Sequence, residues 1–381
     1  MATFVRAGSI DNLYPLPRDS MVVLDPARLT AAKYAYTTRF VASEVARKPR
    51  GYLLQTDTSI RPHPGDVVLA EVVWIGQHKR LESPTSRRAT MYVGDEIVVA
   101  YGNRYAPDQF EAEVPDDLAE TNLVAAGGVV AHALSARQGL EEPTVVQPLG
   151  LLHDAHAVVT LATFAPYVPL PPLDLAPPRS WPDRPSVVAV VGTSMNSGKS
   201  TALACLAHGL ARGGMRVAAG KATGTGAGGD PGMFVDAGAS TVLDFTDFGL
   251  VSTSRLKHDD VVAVFTSLVD QLASTGCDVV LVEIADGTFQ LETARLLADP
   301  VFTEYVDHVL FAAGEAMGAA SGVQELRRLG IEVAAVSGRL TSSPLAAREA
   351  RAALDLPVVD TLDLAEPEVA TCMLPSPRTS R

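Results

Sequence analysis

Apolar positions along the chain fall into successive patterns, and each predicts a different architecture. The N-terminal stretch mixes a short valine strand, Met21 to Leu24 ("MVVL"), with an amphipathic segment from Leu29 to Ala46 that reads as one helix. The arginines and lysine of that segment form its solvated face. From Gly65 onward the runs "PGDVVLAEVVWIG" and "RRATMYVGDEIVVAYG" are rich in β-formers and are punctuated by the turn pairs Gly65–Asp66 and Gly94–Asp95. They predict a small antiparallel, barrel-like unit over residues 60–115. Tyr101 to Pro115 then brings Asn103, Arg104, Tyr105, Asp108, Gln109 and Glu111 into one loop, which serves either as structure or as a holder of a small substrate. Asn122 to Gln138 reads as a helix that tolerates Gly127 and Gly128, with His132 a packed or surface residue. His153 and His156 have a metal-like spacing, but such a pair shares a face only on a helix, and "LLHDAHAVV" reads as a strand turn.

Phe164 to Pro185 contains eight prolines, so it runs extended and marks a boundary. Beyond it the pattern changes again. Apolar strands at 187–191, 215–220, 278–284, 307–313, 331–337 and a short one at 357–360 alternate with helical stretches at 200–212, 259–273, 322–330 and 343–354. Such alternation implies right-handed crossovers and a mainly parallel, doubly wound sheet covered on both faces. The fold class is therefore α/β: an N-terminal α+β domain (1–163) containing the barrel-like unit, a proline-rich linker (164–185) and a P-loop domain (186–381). No internal repeat is present.

Composition narrows the function. A formal charge of −13, from 44 acidic and 31 basic residues, with no dense basic run, argues against a nucleic-acid surface. Cys205, Cys277 and Cys372 are too scattered for a disulfide frame or zinc site and read as buried thiols. The N-terminus lacks the apolar core of a signal peptide, and no run approaches a membrane span. The expectation is a soluble, cytoplasmic protein of 381 residues that does not engage membranes.

The chemistry concentrates in Val187 to Thr201, "VVAVVGTSMNSGKST". A buried strand leads into Gly192, Thr193, Ser194, Met195, Asn196, Ser197, Gly198, Lys199, Ser200 and Thr201, which match the G-x-x-x-x-G-K-[ST] phosphate loop. Successive backbone N–H groups at a helix N-terminus hold a polyphosphate, and bulky side chains would block that approach. Lys199 is expected on the β- and γ-phosphates and Ser200 on magnesium. A chance Gly/Ser-rich turn would lack the flanking strand and helix. Because ligands in parallel sheets sit beyond the carboxyl ends of strands, residues that follow strands are the next candidates. Lys221 ends the second strand and opens "KATGTGAGGD", a run glycine-rich enough for backbone to lie against a ligand. Glu283 ends an apolar strand, where a carboxylate needs a charged partner or a cation. Asp230 is the expected second magnesium ligand, with Asp236 and Asp286 as rivals, and Gly314 with Ser337 to Leu340 is the expected edge for the nucleoside base.

"GTSMNSGKST", "GKATGTG", "VEIADG" and "LFAAGEAMGAASGVQELRRLGIEVAAVSG" together resemble the dethiobiotin synthetase family and its relatives. These relatives are the cobyrinic acid a,c-diamide synthases and the nucleotide-binding accessory protein of molybdopterin guanine dinucleotide synthesis. The resemblance spans residues 187–345. It implies that Lys199 and Lys221 contact the transferred phosphoryl group and substrate, that Asp230 and Glu283 carry magnesium, and that ATP is the cofactor; dimers are common among the relatives. Two departures stand out: "EIADG" replaces the family's E-G-x-G form, and no asparagine follows Asn196, so neither the family's adenine-reading asparagine nor an N-K-x-D guanine motif is present. The expected activity is Mg-ATP-dependent transfer of the γ-phosphoryl group of ATP to a small carboxylate or carbamate acceptor, with Lys199, Lys221 and Glu283 as the catalytic groups, as kinase or as ligase through an acyl phosphate. The alternatives are a slowly hydrolysing adaptor that delivers a cofactor to a partner, and a degenerate, structural nucleotide site.

Overall fold

The computed structural model describes residues 20–171 and 184–374. Valine-rich runs broken by glycine turns build the N-terminal half from β1 (Met21–Val23), β2 (Lys33–Tyr34), β3 (Leu53–Gln55), β4 (Val67–Trp74), β5 (Arg80–Glu82), β6 (Arg88–Thr90), β7 (Glu96–Tyr101), β8 (Arg104–Tyr105), β9 (Phe110–Glu113), β10 (Thr121–Ala125), β11 (Val129–Ala136) and β12 (Thr144–His153). Helices α1 (Pro26–Ala31), α2 (Arg39–Arg47) and α3 (Leu161–Phe164) flank them. The pairings β4–β7, β7–β11, β11–β10, β10–β12 and β12–β4 close into a ring, so the barrel is real. It is larger than the 60–115 unit expected, because β10, β11 and β12 complete it, and it is not purely antiparallel, because β7 and β11 run parallel. Alternate residues of each strand feed two cores. Val67 and Leu69 pack with Leu29, Val41 and Val45 of the helices, whereas Val68 and Ala70 pack with Ile97, Val130 and Val146.

Two expectations for this half are corrected. The single helix over 29–46 breaks after Ala31, where Lys33 and Tyr34 pair in parallel with Ile97 and Val98 of β7. A ladder position on the barrel outweighs the helical period there. The helix over 122–138 is instead the antiparallel pair β10 and β11. Gly128, at φ +96°, makes the turn between them, and a Cβ on it would lie 2.1 Å from that of Ala35. Exposed His132 lies on β11.

The C-terminal half contains β13 (Ser186–Gly192), α4 (Lys199–Arg212), β14 (Val217–Lys221), α5 (Gly229–Asp236), β15 (Thr241–Asp244), α6 (His258–Ala273), β16 (Val279–Glu283), α7 (Leu291–Ala298), α8 (Pro300–Tyr305), β17 (His308–Ala312), α9 (Ala316–Arg328), β18 (Val333–Ser337), α10 (Pro344–Ala353) and α11 (Pro367–Thr371). Its strands form one sheet in the order β15-β14-β16-β13-β17-β18, with every pairing parallel. Both faces are covered, which is why these strands are apolar throughout. On one face Leu203, Leu206 and Leu210 of α4 pack against Val188 and Val190. On the other Phe265, Leu268 and Leu272 of α6 pack against Val280 and Val282. The strand expected at 357–360 is reduced to a single bridge between Val336 and Val358, and β15 was not foreseen.

The start of the proline-rich stretch lies along this half. Tyr167 packs on Phe248, with ring centroids 5.3 Å apart, and the Leu170 N–H donates to Ser267 Oγ at 2.8 Å. The rest of that stretch, 172–183, lies outside the described residues. No helix among the described residues is long and apolar enough to cross a membrane. Cys277 is buried and Cys205 half-buried, but Cys372 is exposed, contrary to the expectation for it.

Candidate functional site

Strand β13 delivers Gly192 to the top of the sheet, and the chain turns through residues 193–198 into α4. Two positions in this turn have left-handed backbone, Asn196 at φ +61° and Gly198 at φ +98°. A Cβ at Gly198 would stand 2.9 Å from the backbone nitrogen of Arg339, and one at Gly192 would meet Ser197 Oγ at 2.4 Å. The turn is pinned to the neighbouring strand ends: the Thr193 N–H donates to the Ala312 carbonyl at 3.0 Å and the Arg339 N–H to the Ser197 carbonyl at 2.8 Å. Lys199 is buried and folds back into the turn, donating to the Ser194 carbonyl at 2.9 Å and to the Asp286 carbonyl. Burial pulls its pKa below the ordinary lysine value, against the opposing pull of Glu283 and Asp286. The C-terminal half carries a P-loop fold.

Register brings the other candidates to the same edge. Lys221 and Glu283 are direct partners across the β14–β16 ladder, and the Lys221 ammonium lies 3.6 Å from Glu283 Oε1 while also pairing with Asp230. Burial opposes the charge on Lys221, but Glu283 and Asp230 outweigh it and hold the lysine protonated, well above its usual range. Burial likewise pushes Asp230 up, yet Lys221 prevails and its carboxyl ends below the usual range. For the fully enclosed Glu283 burial wins, and its carboxyl rises despite Lys221. Glu283 Oε2 is buried without a hydrogen-bond partner among the described residues. A buried carboxylate oxygen left this way points to an absent cation or donor.

The donors here are hard oxygens: two carboxylates and the Ser200 hydroxyl, which face the same cavity. Magnesium takes such ligands and fills its other positions with phosphate oxygens and water, so the set fits that ion. Among the described residues no group of three or more His, Cys, Asp or Glu side chains offers an all-protein metal cage.

These groups share one cavity of about 970 Å³. Of the residues expected from sequence, Met195, Asn196, Gly198, Lys199, Ser200, Thr201, Lys221, Asp230, Glu283, Asp286, Gly338 and Arg339 line it. Gly192, Thr193, Ser194 and Ser197 form the scaffold of the turn. Asp236 is exposed at the end of α5 and does not line the cavity. Gly314 and Ser337 do not line it either. Ser337 is fully buried, its hydroxyl 3.0 Å from that of Thr361, so the strand end serves packing. The walls on that side are Gly338, Arg339, Thr341, Ser342, Pro344 and Asp360 to Leu362. Gly338 and Arg339 fall within the expected edge, whereas the other six were not foreseen because they come from segments brought together by Thr361, which contacts Gly338 and Thr341.

The glycine-rich run after Lys221 does something other than expected. Two of its glycines face the barrel half: a Cβ on Gly226 would lie 2.6 Å from Thr37 Cγ2, and one on Gly228 would lie 2.0 Å from Ser86 Oγ. The Gly228 N–H donates to Glu82 Oε2 at 2.9 Å. Around this contact Tyr36 Oη donates to Asp244 at 2.9 Å, and Arg39 donates to Thr246 at 2.7 Å and to Asp247 at 2.6 Å. The supposed loop 101–115 is largely the hairpin β8–β9, and its Asp108 accepts from Asn196 of the P-loop.

No protein family and no curated protein matched the sequence. Solved structures with partial likeness include the signal recognition particle 54 kDa protein from Aeropyrum pernix K1 in complex with GDP, at 20% identity and TM-score 0.35, over 54% of this chain and 47% of that one. The signal recognition particle receptor FtsY from Elizabethkingia anophelis aligns at 18% identity and TM-score 0.33 over 53% and 69%. The kinase domain of Escherichia coli tyrosine kinase ETK aligns at 15% and 0.32 over 40% and 66%.

Proposed function

We propose that the cavity binds a magnesium nucleoside triphosphate, ATP foremost, and that the protein transfers the γ-phosphoryl group to a small carboxylate or carbamate acceptor held between the P-loop and the barrel. The observation that carries this reading is the meeting of Lys221, Asp230 and Glu283 beside the P-loop, with Glu283 Oε2 left without a partner. Ser200, Asp230 and Glu283 would hold the magnesium, which when bound neutralises charge on the phosphate oxygens. Lys199 exchanges its two loop carbonyls for the β- and γ-phosphates. Lys221 stays protonated across the neutral range, so it acts as a fixed cation toward the transferred group and not as a base. The acceptor class follows the resemblance to dethiobiotin synthetases at the loop residues.

Calorimetry of the wild type and Lys199→Ala with Mg-ATP and Mg-GTP, followed by phosphate release with a panel of small carboxylates, tests the reading. Acceptor-stimulated turnover that disappears in the variant is expected. Equal nucleotide affinity in the two proteins would refute it, and slow hydrolysis indifferent to every acceptor would instead favour the adaptor role.

A further inference from the structure

Arg104, at the start of β8, is only 5% exposed. One guanidinium nitrogen donates to Gln109 Oε1 at 2.8 Å, while Nε and the other terminal nitrogen are buried with no hydrogen-bond partner among the described residues. No carboxylate among those residues lies within salt-bridge distance of it. The acidic group whose charge it feels is Asp286, across the interface, a wall residue of the cavity whose carbonyl receives Lys199. His78, the titratable neighbour on its own side, is kept uncharged by burial and by Arg104 itself. The hairpin that carries Arg104 is fastened to the P-loop half on both sides: Asp108 accepts from Asn196, and Glu113 pairs with Arg255. A cation stripped of water, with free donors and no anion in contact, is costly to maintain unless an anion completes it. Guanidinium groups match carboxylate and phosphate oxygens best.

We propose that Arg104 is the barrel's contribution to substrate recognition, its free donors taking an oxyanion of a ligand bound where the β8–β9 hairpin meets the P-loop. This rests on the phosphoryl-transfer reading above and deepens it: the acceptor is anionic, and the barrel selects it. The oxyanion belongs either to the acceptor's carboxylate or to the terminal phosphate of the nucleotide.

Wild type, Arg104→Gln and Arg104→Lys are compared by thermal shift and calorimetry with Mg-ADP, Mg-AMP-PNP, inorganic phosphate, and a carboxylate panel of acetate, succinate and glutamate, the anions with and without Mg-ADP. Mg-ADP is expected to bind all three proteins alike. Arg104→Gln should lose about tenfold or more in affinity for one oxyanion class, with part of it restored in Arg104→Lys. Loss confined to AMP-PNP and phosphate identifies the nucleotide as the source, and loss confined to a carboxylate identifies the acceptor. The ligand-free melting temperature of Arg104→Gln should match or exceed that of the wild type, since an unpaired buried charge is removed. A marked fall in that temperature, or unchanged affinity for every probe, would overturn the proposal in favour of a structural arginine. Arg104-dependent anion binding without any nucleotide binding would leave this inference standing and remove the nucleotide reading. Nucleotide binding with no dependence on Arg104 for any probe would do the reverse.

Discussion

Two glycine-rich turns leave neighbouring regions of the same sheet, and they have opposite jobs. The turn at 192–198 faces the cavity: its left-handed Gly198 fits beneath Arg339, and Met195, Asn196 and Gly198 line the cavity. The turn at 222–229 shows the cavity only its two ends, Lys221 and Asp230, while Gly226 and Gly228 press against Thr37, Tyr36 and Ser86 of the barrel. Glycine does the same physical thing in both, which is to permit backbone to approach within the radius of a missing Cβ. What differs is which part of the chain approaches: at Gly192 and Gly198 it is the strand-end segments that frame the cavity, at Gly226 and Gly228 it is the barrel half. The second turn therefore couples the two halves of the molecule: the segment that joins Lys221 to Asp230 is the one on which the barrel sits.

The comparison yields substitutions that separate the two roles. Lys199→Ala should reduce turnover by about 10²-fold or more while leaving the melting temperature close to that of the wild type, because a charge stabiliser of this kind contributes ~3 kcal/mol or more at the transition state. Gly226→Val should act on the other turn. Its side chain would run into Thr37 Cγ2 at 2.6 Å and the Val251 carbonyl at 2.9 Å. Such overpacking costs ~1–3 kcal/mol in chemical unfolding, with Mg-ADP affinity of the folded protein little changed. Gly198→Ala should show the reverse balance: strain of ~1–2 kcal/mol from a left-handed residue and a loss of nucleotide affinity that exceeds it. If both glycine variants lost stability and affinity in equal measure, the two turns would not be functionally distinct.

Titration distinguishes the halves more gently. Burial, helped by Arg104, holds His78 of the barrel at a pKa of about 4, below its unfolded value. The unfolded chain then binds more protons between those values, so stability is full above about pH 6.5 and is lost as the pH falls toward 4, by up to ~2–3 kcal/mol. His78→Gln should flatten that slope in urea titrations. Asp270 of the P-loop half has the opposite sign. Burial raises its carboxyl to about 7, so its contribution is present at low pH and fades as the pH rises through 7. Asp270→Asn should therefore stabilise at pH 8 and not at pH 5, by about 1 kcal/mol or less given its partial exposure.

Much of the P-loop half was legible in the sequence. Its strands are buried on both faces and so are unbroken apolar runs, and the phosphate-loop spacing is local, needing only a strand, a turn and a helix in series. Lys221 and Glu283 were legible for a related reason: a polar residue at the end of an apolar strand sits at the ligand edge of any parallel sheet. The barrel was harder. Thr121 to Ala136 alternates imperfectly around Gly127–Gly128, and only the partners β7, β9 and β12 make it two strands. Ser337 misled because a strand end near the nucleotide edge was taken for a wall; within the expected edge only Gly338 and Arg339 line the cavity, and the distant Thr361 completes that side.

By itself the sequence determined the parallel sheet, the P-loop and the charged residues at its edge, since each follows from a short-range period or spacing. Only tertiary structure decided that the second glycine turn docks on the barrel, that the ring closes through residues far beyond 115, and that Arg104 is buried within reach of the charge of Asp286, with two guanidinium nitrogens lacking partners among the described residues. Those outcomes depend on pairings between segments remote in the chain, and no local pattern records which surface a turn or a side chain will finally meet.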